Sequence, residues 1–444
     1  MLRYFILFIS FFSVLVFPQA ENDTTVISGK YSVKIDSIII RGNKITEDFI
    51  IRRELTFHDG DSLNPAKAAY NSDRVYSLGL FDQVKITTET HDSITYAMVD
   101  VEEAWYIWPI PFMDVKNGDW KKISFGIDLL VKNFRGMNET VRFNFSLGYD
   151  PSVAISYTIP VIQSGSNVSL TTALSYSNVQ NESRIAEIAY GSKFSQKMLN
   201  AQVILGDRFS LFHYIQLTGG FNYIATPIYV PNSYINASGQ RIDHVIYVGA
   251  GYTYDSRDLA QFPLKGILGS VNVLDKGLGY QNINYQVYTI DFREYRRIVW
   301  DLYGKWRFVT RLTSGKIIPS YDISFLGYGD RVRGYSNSVE EGNNYYLTSL
   351  EFYHPLIKDV NINLDFIPIV PPQLLSYRVA LYTEVFGDVG TVTQRGRNIG
   401  INDFESGYGF GLTLLVLPYN ILRTEIAFNN FAKSEFLVTL GISF

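Results

Sequence analysis

Residues 377–388 read Tyr377-Arg-Val-Ala-Leu-Tyr-Thr-Glu-Val-Phe-Gly-Asp388. Side chains alternate between the two faces of a strand. Val379, Leu381, Thr383 and Val385 therefore share one face, and Arg378, Tyr382, Glu384 and Asp388 share the other. The first face suits hydrocarbon and the second suits water. A soluble β-sandwich also covers one face of each sheet, but rarely sets Arg, Glu and Asp together on the covered side. A barrel in a membrane needs this division, apolar outward and polar inward.

The pattern extends in both directions. From Trp105 onward, strand-like runs follow one another at 141–148, 153–158, 168–176, 246–254, 285–293 and 346–352, separated by Gly, Asn, Ser and Pro clusters. Tracing the runs gives about 14 to 17, and transmembrane barrels favour even numbers, so about 16 antiparallel strands are expected over 105–444. The chain closes on Phe436-Leu-Val-Thr-Leu-Gly-Ile-Ser-Phe444, which places Phe436, Val438, Leu440, Ile442 and Phe444 on one face. Composition agrees. Tyr (32) and Phe (30) are abundant while charged residues are 18%, as suits a lipid-facing surface with aromatic girdles. A net charge of −4 does not point to nucleic acid, and with no Cys there are neither disulfides nor thiolate metal sites.

The N-terminal part differs. Residues 1–20 carry Arg3, an apolar run from Tyr4 to Phe17 and a small residue at Ala20, and read as a secretory signal peptide. A membrane anchor is the alternative, but the run is short for a span of about 20 residues. Residues 21–30 form a short linker. Within 31–104 lie the best helix signals of the chain. A strand through Ile38 and Ile40 ends at Gly42-Asn43, and Thr46 is a candidate N-cap before Phe49 and Ile50. Asn64 and Pro65 open a second helix, and two strands follow through Val84 and Val99. The order is βααββ.

Residues 31–104 resemble a POTRA domain in this order and in Arg53-Glu54-Leu55, Gly60-Asp61 and Leu78-Gly79-Leu80-Phe81. The glycine-rich stretch 325–335 contains Val332-Arg333-Gly334-Tyr335. Together with Asn133-Phe134-Arg135-Gly136, Asp255-Ser256-Arg257-Asp258 and Phe386-Gly387-Asp388, in this spacing after one POTRA module, it makes the whole chain resemble the outer-membrane assembly factors of the BamA/TamA type, the bacterial surface antigens. The final strand with its terminal Phe444 resembles the β-signal of outer-membrane proteins.

The resemblance implies a mainly β fold, a transmembrane barrel preceded by one periplasmic α+β module, in the bacterial outer membrane. It implies a factor that assembles outer-membrane proteins, with unfolded β-rich clients, outer-membrane lipid and periplasmic chaperones or accessory proteins as partners. Client capture by β-augmentation on the POTRA sheet and insertion through a lateral seam are the expected mechanism. A two-partner-type secretion pore and a structural surface barrel are the alternatives. By the same resemblance, the sixth outer loop folds into the barrel, with Arg333, Gly334 and Tyr335 latched to Glu351 and Asp388 on the wall. A guanidinium in a partly enclosed lumen independently calls for carboxylates. The seam would lie between a first strand around Pro111 and a last strand carrying Phe436, Val438, Leu440, Gly441 and Phe444. Gly407, Gly409 and Gly411 alternate on the inward face, leaving room for close approach. No His-Glu-x-x-His run, Gly-x-Ser-x-Gly elbow or phosphate loop is present. No enzyme activity, cofactor or metal is expected.

Overall fold

The computed structural model describes residues 32–116, 120–163, 165–227, 235–335, 338–364 and 371–442. The signal peptide and linker expected over 1–30, and Phe444, lie outside the described residues. Sixteen strands form one antiparallel sheet, from β6 (Ile107–Val115) to β23 (Ser434–Ile442), each paired with its neighbours in the chain. The expected strand number and sense are met. One small hairpin, β17 (Ser324–Leu326) with β18 (Glu340–Gly342), stands apart from the order. It belongs to the long connection from β16 (Leu302–Gly315) to β19 (Asn344–Asn363).

Alternation sorts the strands as a membrane demands. On β20 (Ser376–Thr393) Val385 and Val389 are exposed while Glu384 and Asp388 are 1% exposed. On β23 Phe436, Val438 and Leu440 are all exposed, and Leu437 between them is buried. Leu147, Ile155, Leu174, Leu205, Leu217 and Val248 continue the outer apolar band on other strands. Such a belt would be unfavourable in water and is favourable in hydrocarbon.

The N-terminal module has a three-stranded sheet in the order β2 (Ser37–Arg41), β5 (Ile94–Glu103), β4 (Phe81–His91), with β2 and β5 parallel. Helices α1 (Asp48–Arg52) and α2 (Pro65–Tyr76) cover it, and Ile35, Ile50, Ile51, Phe57, Leu80 and Val99 form its core. Asn64 caps α2 as expected, accepting from the Lys67 N–H at 2.8 Å. Thr46 does not cap α1. Its hydroxyl donates to Glu103 Oε1 at 2.8 Å and accepts from Asn133 Nδ2 at 2.9 Å. Asn133 lies at the end of the second barrel strand, 87 residues away in the chain, so a contact distant in sequence outcompetes the local cap.

Candidate functional site in the barrel lumen

The loop 316–343 leaves β16 and turns back into the barrel. Its anchors are polar at the root and apolar further in. Asp322 pairs with Lys276 and Arg311 and accepts from Tyr285 Oη at 2.8 Å. Asp330 meets Arg307 at 2.8 Å and accepts from Tyr345 Oη. Leu326 and Val332 are buried among Val309, Tyr345 and Leu347. These contacts deliver Arg333 to the wall.

Arg333 is 8% exposed and meets three carboxylates. Its Nε and Nη2 each donate to Asp388 at 2.7 Å, a bidentate fork. Nη1 donates to Glu425 Oε1 at 2.8 Å, and Nη2 lies 2.9 Å from Glu351 Oε1. The guanidinium also lies 3.6 Å from the centroid of the Phe386 ring. Bidentate pairing fixes direction as well as charge, and an aromatic face adds cation–π attraction. The structure thus brings Arg333, Glu351 and Asp388 together. Glu425 and Phe386 complete the set and were missed in the sequence. Glu425 could have been found by extending strand alternation from Asp388 across the next two strands.

The cluster continues beyond the arginine. Lys305 Nζ lies 3.0 Å from Glu351 Oε2. Arg423 stands 3.6 to 4.0 Å from Glu384, Glu351 and Glu425. Glu384 Oε2 accepts from Thr413 Oγ1, and its Oε1 has no hydrogen-bond partner among the described residues. Carboxylates brought so close are stable only with the cations in place.

Strand β21 (Glu405–Leu417) makes room for the loop. In the register Asp388 opposes Gly407, which opposes Asn429 on β22 (Asn420–Asn429). A Cβ on Gly407 would lie 1.9 Å from the Arg333 carbonyl oxygen. The loop main chain therefore rests directly on the wall at that glycine. Gly334 has a φ of +95° and sits under Phe428 and Asn429, where Asn429 Nδ2 donates to its carbonyl at 3.3 Å. Tyr335 Oη donates to Asn430.

Pro111 lies in the middle of β6, and Phe436, Val438, Leu440 and Gly441 lie on β23. These are the two edges of the sheet, and no ladder joins them among the described residues. The ends of the sheet nonetheless curve round to meet. Trp108 on β6 packs against Tyr419, in the turn between β21 and β22, with ring centroids 4.7 Å apart.

The N-terminal module packs against one end of the barrel. Its Tyr76 packs with Leu259 and Phe262, from the turn between β13 (Ile242–Asp255) and β14 (Gly266–Lys276), and with Tyr353 and Tyr382 of the wall. The Phe262 ring lies 4.8 Å from Tyr382 and 5.4 Å from Tyr353. Ion pairs accompany this apolar contact. Glu54 meets Arg74 and Arg208, and Asp73 meets Arg378 at 2.8 Å. Burial acts to raise the Glu54 carboxyl, but the bond from Arg208 and the surrounding guanidinium charges outweigh it and hold it below its ordinary value. Asp82 accepts from Tyr419 Oη at 2.7 Å. Burial pushes its carboxyl up to about 7, opposed by the Tyr419 bond and reinforced by Glu102. The 133–136 and 255–258 motifs belong to this joint. The Glu47 N–H donates to the Gly136 carbonyl at 3.0 Å, and Tyr70 Oη to the Ser256 carbonyl at 3.3 Å.

A family model described as the Omp85 superfamily domain matches residues 133–444, and a POTRA model, described as surface antigen variable number repeat, matches 33–104. Among solved structures the chain is similar to BamA from Haemophilus ducreyi lacking POTRA domains 1–3, at 17% identity and a TM-score of 0.55, covering 92% of this chain and 85% of that one. It is similar to CdiB from Acinetobacter baumannii at 15% identity and TM-score 0.52, covering 93% and 74%. It is also similar to CdiB from Escherichia coli at 11% and 0.51, covering 96% and 92%. At these identities the likeness is one of fold.

Proposed function

The chain belongs to the Omp85 superfamily, a family of outer-membrane β-barrel transporters and insertases, and from that premise we propose that it inserts β-rich clients into the outer membrane through the seam between β6 and β23, with its POTRA domain in the periplasm. The open ladder between those two strands carries this reading. An edge strand facing hydrocarbon leaves N–H and C=O groups that neither lipid nor water satisfies, and a client strand can satisfy them. An outer strand of the POTRA sheet, β2 or β4, would capture the client first by strand addition. The Arg333 cluster would act as a latch that holds the wall formed by β19 to β22 in one shape while the seam opens. The packing of Tyr76, Leu259 and Phe262 against Tyr353 and Tyr382 of the wall favours this over passage of a client along the lumen, since a client on that path would have to part the cluster. No chemical step is involved. Clients, lipid and periplasmic accessory proteins are the partners of this reading.

A reversible lock tests it. The chain has no native Cys, so one Cys near Pro111 and one near Leu440 allow a single engineered disulfide across the seam. The locked protein replaces the wild type in cells, and outer-membrane protein levels are followed with and without reductant. Loss of client assembly, restored on reduction, is the expected result. Normal assembly with the seam verified as shut would sink the seam mechanism and leave a secretion pore or a structural barrel.

A further inference from the structure

The outer face of the barrel runs into a cationic cleft on the POTRA side. Strands β11 (Ser195–Ser210), β12 (His213–Ala225) and β13 are neighbours in the sheet. Leu205 opposes Leu217, Ile215 opposes Tyr252, and His213 opposes Tyr254. Alternation puts Leu217, Ile215 and His213 on one face, and the exposure of Leu205, Leu217, Ile215 and Tyr252 marks it as the lipid-facing one. At its POTRA end this face carries rings. Phe209 and Tyr254 lie 5.5 and 5.0 Å from the His213 ring, and Tyr252 Oη bonds His213 Nδ1 at 2.7 Å. Such aromatic side chains settle at the level of lipid headgroups.

Phe212, in the turn after β11, links these rings to charge. Its ring lies 6.2 Å from Tyr254 and 5.1 Å from the Arg74 guanidinium of α2. Between α2 and this turn opens a cleft of about 220 Å³, whose lining includes Arg74, Ser77, Leu211, Phe212, His213 and Arg257. Cations outnumber anions around it. Glu54 is shared by Arg74 and Arg208, and Asp255 is held by Arg257. Half-buried Arg53 adjoins them, and the one hydrogen bond of its side chain among the described residues is to the Pro160 carbonyl at 3.5 Å. Burial and the Arg208 guanidinium hold Arg53 below its ordinary value. Arg74 is 8% exposed. Its Nε and Nη2 donate to Glu54, while its Nη1 makes no hydrogen bond among the described residues. Four guanidiniums thus share two carboxylates, and the most buried contact among them leaves a donor unused beside the cleft.

We infer that this cleft binds the phosphate of a phospholipid of the periplasmic leaflet, with the acyl chains along Leu205, Ile215 and Leu217. Phosphate oxygens match the guanidinium fork. A phosphodiester brings negative charge to the excess of cations, and its chains meet the ring-lined face that leads into the cleft. A peptide carboxylate would satisfy the cations but leave that lipid-facing approach without a role. The bound lipid would touch Arg74 of the POTRA domain and Arg257 of the barrel, and so would favour the docked joint. The inference needs the POTRA domain to face the periplasm. It needs neither a client nor an opening seam.

The test uses the purified full chain in dodecyl maltoside micelles. Leu211→Cys carries a polarity-sensitive fluorophore, and phosphatidylglycerol is titrated in. The signal should saturate at one lipid per protein, and diacylglycerol with the same chains should give no saturable signal. Arg74→Lys keeps the charge but loses Nη1, and should weaken binding about tenfold, the effect of one charge-assisted hydrogen bond. Arg53→Gln breaks a single long hydrogen bond and should weaken binding severalfold with the fold intact, as checked by heat-modifiable gel mobility. Arg142→Gln removes a guanidinium paired with Asp128 elsewhere in the barrel and should leave binding unchanged. Undiminished binding in both Arg74→Lys and Arg53→Gln, or an equal signal from diacylglycerol, overturns the inference. Saturation by inorganic phosphate at the same concentration as phosphatidylglycerol overturns the lipid in favour of a free anion. Tighter binding of an acetylated dipeptide with a C-terminal carboxylate overturns it in favour of a peptide. Each of these outcomes is independent of the seam lock, so failure here leaves the insertion reading standing.

Discussion

At Arg333 one side chain is shared among Asp388, Glu425 and Glu351 at 2.7 to 2.9 Å. Truncating one member of a buried ion cluster leaves its partners uncompensated, at a cost of about 3–5 kcal/mol. Arg333→Ala should therefore lower the thermal midpoint of the barrel, read by heat-modifiable gel mobility, and expose the loop 316–343 to protease. Arg333→Lys should recover less than half of the loss, because an ammonium cannot make the Asp388 fork and reach Glu425 together. Full stability in Arg333→Ala would mean that the carboxylates are satisfied by Arg423 and Lys305 alone. The resemblance implied Arg333, Glu351 and Asp388, and alternation along one strand independently faced Asp388 inward. Glu425 was missed although alternation carried across the next two strands reaches it, and Phe386 was missed because its nearness to Arg333 depends on how far the loop penetrates.

Among the elements, β21 is defined by what it lacks. Gly407 leaves the wall open where the Arg333 carbonyl lies against it. Gly407→Ala changes no charge, yet its methyl would overlap that oxygen, so it should free the loop to protease much as Arg333→Ala does. An unaltered digestion pattern would show that the loop can shift without leaving its carboxylates. The alternation of glycines at 407, 409 and 411 was readable as a site of close approach. The partner was not, since register across three strands decides which backbone arrives there. α1 shows the reverse case. Thr46 has the residue type and position of a cap, yet it bonds Glu103 and Asn133 instead. Local propensity is worth about 1 kcal/mol at a cap, and two charged or buried partners outweigh it.

For the whole molecule, the POTRA module and barrel meet through a joint with a titratable centre. Asp82 has a carboxyl raised to about 7 from an ordinary value of 3.8. A raised acid favours the docked state while it is protonated, so its contribution is full below about 3.8 and is lost as pH rises through about 7. Docking, followed by fluorescence transfer between labels on the module and the barrel, should weaken from pH 5 to pH 8. Asp82→Asn should flatten that profile, and a slope unchanged in this variant would place the titration elsewhere. Glu54→Ala with Asp73→Ala removes the pairs to Arg208 and Arg378, and should loosen docking at every pH while leaving the barrel's own thermal midpoint in place. A joint that stays shut in this variant would assign its stability to the apolar packing of Tyr76 with Leu259 and Phe262.

The sequence by itself determined the periods: two-residue alternation over 105–444, a helix-bearing module before it, and inward charges that only a polar lumen tolerates. These are local properties, set by the geometry of one strand or one helix. Tertiary structure alone decided which distant groups meet. It laid Arg333 on Gly407 and carried Phe262 to Tyr76. Each depends on register and chain closure, where one residue of slip would reverse every facing. No single segment encodes that sum.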